Sequence, residues 1–212
     1  MTLNSTESSS DREVLLVGPY GVLGTGVIDA VAANPAWRVT TAARRPAPTY
    51  RTQTPPRHIS VDLMDREGTI KAFSNLDTVT DLVYAAYVEK PTMAETVEPN
   101  ARMLTNTLEA LAARSVPVRR IVLAGGAKSY GFSLGAFNAP AKETEPRLIA
   151  PIHYHQQEDI VADWSSKYGA SATRSSMCRT GIFIAGDSFG ANWLLSISFL
   201  SQNRWQCPLF RR

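Results

Sequence analysis

Two side chains in this sequence carry chemistry that would complement each other. Lys128 closes an apolar run in GGAKSYG, and Tyr154 opens a helical pattern in PIHYHQQEDI. A phenol near an ammonium has a lowered pKa, which suits it to donate or stabilise a proton while charge develops on a neighbouring oxygen. Glu158 follows Tyr154 by one helical turn, so both can face one groove. A lysine at that position would supply the ammonium locally. Here the position is acidic. Lys128, at the C-terminal edge of a parallel strand, would face the crevice where ligands bind. The plain alternative for Lys128 is a solvated lysine at a strand end.

A second group of residues points to a nucleotide. Gly18-Pro19-Tyr20-Gly21-Val22-Leu23-Gly24 fits GxxGxxG directly after the apolar stretch EVLLVG. Glycines there allow a tight turn and let the backbone approach a pyrophosphate at a helix N-terminus, where unpaired N–H groups and the helix dipole favour anions. The next strand ends in Arg44-Arg45 with no acid. An acid would hold a ribose 2′-hydroxyl, whereas arginine accepts a 2′-phosphate, so the expected cofactor is NADP(H). Asp62, with Leu63 after it, can meet the adenine, or serve as a turn or cap residue. Ala85 and Ala86 are small enough to let the cofactor backbone pass. Tyr87 can line the substrate side or be a half-buried core residue.

The elements that must position these groups alternate. EVLLVG, RVTTAARRP, HISVDLMD, VTDLVYAAY and RRIVLAGGAK read as strands, and SATRSSMCRTGIFIAG should hold a sixth despite few Val or Ile residues. Between them lie helical patterns: the one after the glycine turn, DREGTIKAFSNL, and PNARMLTNTLEALAAR, where Pro99 suits a first turn. HQQEDIVADWSSKY comes next, ended by Gly169. Such alternation predicts the α/β class, a doubly wound parallel sheet of the Rossmann NAD(P)-binding kind.

Bulk properties narrow the function. The chain has 212 residues, 44% hydrophobic and 19% charged, with a formal net charge of +3. That is one domain, and no Lys/Arg run or aromatic interleaving suggests nucleic acid. Cys178 and Cys207 make no disulfide framework, and no Cys/His spacing suits a metal. The polar first ten residues do not read as a signal peptide, and ANWLLSISFL is about half a membrane span, so a cytoplasmic protein without membrane contact is expected. GxSxG is absent, which argues against a serine hydrolase. None of His58, His153 and His155 reads as a metal ligand; His155, beside Tyr154, could tune the site or be a surface or loop residue. The expected organisation is a tail (1–12), an NADP-binding domain (13–190) and an irregular end (191–212), with a small-molecule substrate and compatibility with a homodimer.

Taken together, the motifs resemble the progesterone 5β-reductase/iridoid synthase-like (PRISE) branch of extended short-chain dehydrogenases. The resemblance spans about Val14 to Gly186. GPYGVLG matches its glycine motif, Ala43-Arg44-Arg45 its NADPH-selecting ARR, and Asp62-Leu63 its Asp followed by Ile or Leu. DLVYAAY is similar to its THVFYxxxA strand, and NARMLTNTLEAL to its NxxMxxNxLxA helix. Gly126-Ala127-Lys128-Ser129-Tyr130 resembles its GxKHY, KETEPR its acidic-Pro-Arg segment, and HYHQQED its FYYxxED. Ordinary short-chain dehydrogenases carry the lysine four residues after the tyrosine, but this family takes it from the end of the fifth strand, which makes Lys128 the partner of Tyr154. The resemblance implies NADPH-dependent reduction of a carbon–carbon double bond conjugated to a carbonyl. Hydride would go to the β-carbon while Tyr154, assisted by Lys128, stabilises the enolate oxygen. Plain carbonyl reduction is the neighbouring chemistry.

Three positions depart from the pattern. The family's YY is Tyr154-His155, its histidine after the lysine is Ser129, and its WSVxRP continuation becomes Trp164-Ser165 followed by SATRSSMC. Family members run on into a substrate-covering lobe that this sequence largely lacks, which reads as a truncation. The alternative function is therefore a non-catalytic NADP-binding domain.

Overall fold

The computed structural model describes residues 12–47, 49, 55–131, 133–135, 146–168 and 174–178. Six strands form one sheet: β1 (Arg12–Val17), β2 (Trp37–Ala43), β3 (Arg57–Ser60), β4 (Asp81–Tyr84), β5 (Arg120–Ala124) and β6 (Arg174–Cys178). Their order is β3-β2-β1-β4-β5-β6, and every neighbouring pair is parallel. This is the doubly wound arrangement expected from the alternating pattern. The chain reverses direction across the sheet between β1 and β4, and ligands of such sheets bind outside the strand C-termini at that point.

Burial on both faces explains why β1 reads as an unbroken apolar run. Val14 and Leu16 pack with Val83 of β4 and with Ile28 and Val31 of α1 (Val22–Ala32). Leu15 and Val17 face the other way, toward Leu82, Tyr84, Ile121 and Leu123. That second layer is closed by α2 (Arg66–Ala72), α3 (Met93–Ala113) and α4 (His153–Tyr168), with Phe73 at the end of α2, Leu104, Leu108 and Leu111 from α3, and Val161 from α4. All of these second-layer side chains are at most 2% exposed.

Two boundaries differ from the sequence expectation. Helix α3 starts at Met93, six residues before Pro99, so Pro99 lies inside it. A capping box explains the earlier start. The Thr92 hydroxyl accepts from the Glu95 N–H at 3.2 Å, and the Glu95 carboxylate accepts from the Thr92 N–H at 3.1 Å. Helix α4 begins at His153, two residues before the expected HQQEDI segment, which puts Tyr154 in its first turn. His155 is buried there, on a helix that packs against α3, and is not the surface residue its type suggested. Residue 169 and the stretch ANWLLSISFL lie outside the described residues, as do most of the expected tail and the whole irregular end. Among the described residues no helix is long and apolar enough to cross a membrane.

Candidate active site

A cleft of about 690 Å³ opens over the C-terminal ends of β1, β2 and β4. Its floor is the turn between β1 and α1. Gly18 leaves the sheet with φ +90°, a conformation that costs an L side chain but not glycine. Space demands glycine there too: a Cβ would lie 2.6 Å from the Ala86 nitrogen and 2.7 Å from the Ala85 carbonyl. Gly24 is needed for a different reason. Its Cβ would meet the Gly18 oxygen at 2.5 Å, so it lets the first turn of α1 close against the glycine turn. Gly21, the N-cap of α1, has nothing within 4 Å of a would-be Cβ and lines the cleft. The backbone is therefore open at the one position where a phosphate must approach a helix N-terminus. Val22 and Leu23 come next in α1; Leu23 does not line the cleft.

At one end of the cleft, β2 delivers Ala43, Arg44 and Arg45, and the segment after β3 delivers Asp62 and Leu63. Both arginines are exposed. The Arg45 guanidinium lies over the Tyr20 ring, 4.0 Å from its centroid, and the Tyr20 hydroxyl donates to the Pro46 carbonyl. Asp62 is exposed, and its carboxylate accepts from the Met64 N–H at 3.0 Å, so it shapes a turn while facing the cleft. It is not a helix cap; Asp65 caps α2. Leu63 is buried, and its carbonyl accepts from the Asn106 amide at 2.7 Å.

At the other end, Ala85, Ala86 and Tyr87 leave β4 along the cleft wall. The Ala85 N–H donates to the Val17 carbonyl at 2.8 Å, which extends the sheet one residue beyond the β4 ladder. Asn100 of α3 anchors the backbone just beyond Tyr87, accepting from the Val88 N–H at 3.0 Å and donating to the Val88 carbonyl at 2.7 Å. Tyr87 is 46% exposed, so it is a wall residue and not a core one. Together with Lys90 it also lines a second cavity of about 100 Å³, whose other walls include Lys128 and His153.

Lys128 lies in the 3-10 turn Ala127–Tyr130 that comes after β5, 40% exposed, with Nζ 4.0 Å from Glu89 Oε1. The Tyr154 hydroxyl sits over Gly126, where an added Cβ would be 2.9 Å from it. Burial holds the Tyr154 pKa above the ordinary phenol value, opposite to the lowering expected from Lys128. The phenol is thus protonated at neutral pH. The Lys128 charge acts instead on His153: burial first, then the ammonium, pushes the imidazole down to about 4, so it is neutral at pH 7. The His153 ring lies between two phenols, 3.9 Å from the Tyr154 centroid and 5.1 Å from that of Tyr87. Sequence reading passed over His153, whose position only the pairing of distant rings reveals. Its place beside Tyr154, where the resembling motif has an aromatic, was the available signal.

Glu158 is buried, its side chain 5% exposed, with Oε2 2.8 Å from the Arg147 guanidinium. The same arginine reaches Asp159 at 2.5 Å. The acid at the helical position after Tyr154 therefore ties α4 to the segment that precedes it.

Comparison with known proteins places the chain in a family. The pattern of the PRISE-like Rossmann-fold domain matches residues 59–175. The chain belongs to the PRISE-like Rossmann-fold family. It is similar to an (S)-8-oxocitronellyl enol synthase from Camptotheca acuminata, with 31% identity over 166 residues, 72% of this chain and 42% of that protein. It is also 31% identical to the 3-oxo-Delta(4,5)-steroid 5-beta-reductase of Arabidopsis thaliana, over 75% of this chain and 44% of the relative. The chain thus spans about two fifths of the length of these relatives. Among solved structures, UDP-glucose 4-epimerase from Brucella ovis in complex with NAD superposes with a TM-score of 0.63 at 16% identity, covering 79% of this chain and 51% of that one. That likeness concerns the fold.

Proposed function

We propose that this PRISE-like chain binds NADPH and reduces a carbon–carbon double bond conjugated to a carbonyl. The observation that carries the reading is a groove joining an open glycine turn and an exposed arginine pair to Tyr87, beside which lie Lys128 and His153, with the protonated Tyr154 against the His153 ring. The names of both relatives, an enol synthase and a steroid 5-beta-reductase, point to the same chemistry.

In this reading Gly18, Gly21 and the N-terminus of α1 hold the pyrophosphate, Arg44 and Arg45 receive the 2′-phosphate, and Asp62 and Leu63 border the adenine. NADPH, when bound, supplies the hydride. Tyr154, kept protonated by burial, donates a hydrogen bond and then its proton to the substrate oxygen as negative charge develops there. Lys128 adds positive charge on the same side, and the neutral His153 ring supports the phenol from behind. Ala85 and Ala86 keep the wall low between the two ends.

Turnover of small enones with NADPH tests the reading. Tyr154→Phe is expected to lower kcat about 100- to 1,000-fold, the scale of one lost oxyanion donor, with NADPH affinity retained. Lys128→Ala is expected to lower it as well. Undiminished turnover in both variants would refute the mechanism. The second reading is an NADP-binding domain without turnover; tight NADPH binding with no turnover across an enone panel would support it.

A further inference from the structure

The arginine pair is presented by a turn whose backbone is restrained from two sides. His58 of β3 lies opposite Thr41 of β2 in the parallel register, so their side chains share one face of the sheet. Its Nδ1 is 2.8 Å from the Thr41 hydroxyl, and its Nε2 is 2.9 Å from the Arg45 carbonyl oxygen. A carbonyl can only accept, so Nε2 carries the proton and donates. The Thr41 hydroxyl, 3.3 Å from the Arg57 carbonyl, then donates to Nδ1 and completes the bridge. From the other side, the Tyr20 ring stacks on the Arg45 guanidinium and the Tyr20 hydroxyl holds the Pro46 carbonyl. One residue is gripped at its carbonyl, at its guanidinium and at its C-terminal neighbour. Arg44, next to it, lines the cleft with no ion pair to another described residue.

We propose that His58, with Tyr20, sets the preference for NADPH over NADH by fixing the Arg44-Arg45 turn in the geometry that receives the 2′-phosphate. This rests on the NADPH reading above. His58 is a positioning residue, acting through the Arg45 carbonyl. Without the bridge the turn after β2 would sample several conformations, and each guanidinium would lose ordering entropy on binding. Because NADH has no 2′-phosphate, its binding would be untouched. A split between the two nucleotides therefore separates positioning from general loss of structure.

The experiment is calorimetric titration of the purified chain with NADPH and with NADH. The wild type and Arg44→Ala/Arg45→Ala establish the underlying reading, with NADPH the tighter ligand and the double variant losing that advantage. His58→Ala is expected to weaken NADPH about 5- to 10-fold, the scale of one hydrogen bond, and to leave NADH within about twofold. His58→Gln, whose amide nitrogen can reach the same carbonyl, is expected to restore most of the loss. Tyr20→Leu gives a second route that leaves β3 untouched and is expected to shift the ratio in the same direction. An unchanged NADPH-to-NADH ratio in both His58→Ala and Tyr20→Leu would overturn the inference while leaving the NADPH reading standing. Equal binding of the two nucleotides by the wild type would overturn both.

Discussion

Substituting alanine at Gly18 and at Gly21 separates what the glycine turn does for folding from what it does for a ligand. At Gly18 a side chain must adopt φ +90°, and the left-handed region costs about 1–2 kcal/mol for an L residue. The new Cβ would also sit 2.6 Å from the Ala86 nitrogen and 2.7 Å from the Ala85 carbonyl carbon and oxygen. These are backbone atoms just past the β1–β4 ladder, anchored by the Ala85 N–H bond to the Val17 carbonyl, and cannot rotate away, so the overlap adds about 1–3 kcal/mol, as for overpacked cores. The sum, about 2–5 kcal/mol, is a large share of the roughly 5–15 kcal/mol of a typical domain and lowers Tm by about 5–15 °C at this size. Gly21 has ordinary φ −80° and open space around it, so Gly21→Ala costs at most about 1 kcal/mol as a weaker N-cap. Its methyl stands in the cleft, however, and is expected to weaken NADPH binding at least about tenfold through lost backbone approach. Thermal denaturation monitored by circular dichroism, with NADPH titration of the folded variants, measures both effects. A Gly18→Ala protein melting within about 2 °C of wild type, or a Gly21→Ala protein as destabilised as Gly18→Ala, would refute the reasoning.

Other perturbations probe the second half of the groove. Gly126→Ala puts a methyl 2.9 Å from the Tyr154 hydroxyl and 3.3 Å from its ring carbons, displacing the phenol; enone turnover should fall about 10- to 100-fold with NADPH affinity unchanged, as small misplacements of reacting groups do. Arg147→Gln removes the guanidinium beside the buried Glu158 carboxylate. Because Arg147 itself is 40% exposed, the loss is expected at about 1–2 kcal/mol in urea denaturation, below that of a fully buried pair. Folding pushes the His153 pKa down to about 4 from an ordinary 6.5, so the unfolded chain binds the extra proton between those values. Stability should therefore fall as pH drops from about 6.5 to 4 and level off below, by about 1–2 kcal/mol after solvent screening at the cavity mouth, and His153→Phe should flatten that slope.

The range of the forces involved decides which features the sequence disclosed and which it hid. The glycine turn, the arginine pair and the strand–helix alternation are local patterns, and they are enough to specify the parallel sheet. The start of α3 was obscured because Pro99 signals a first turn, while the Thr92–Glu95 box that begins the helix lies seven residues upstream of it. Pro99 offers no N–H to the Glu95 carbonyl, and the Asn100 amide adds a side-chain bond to the same turn, donating to the Thr96 carbonyl at 2.7 Å. The direction of the Tyr154 pKa could not be read from residue types. It depends on burial, which only the folded chain produces, and on where the Lys128 ammonium points. His153 escaped notice for the same reason: its partner Tyr87 lies just past β4, far away in sequence. Glu158 puzzled as a missing lysine and is explained by Arg147, which only the fold brings beside it.

The NADPH site we propose is built by Gly18, Gly21, Arg44 and Arg45. Equilibrium binding of NADPH and NADH to the purified chain, monitored by nicotinamide fluorescence, tests it most directly. NADPH should bind at least about tenfold more tightly than NADH, the scale of charge-assisted hydrogen bonds to one extra phosphate. Equal affinities, or binding of neither, would contradict it.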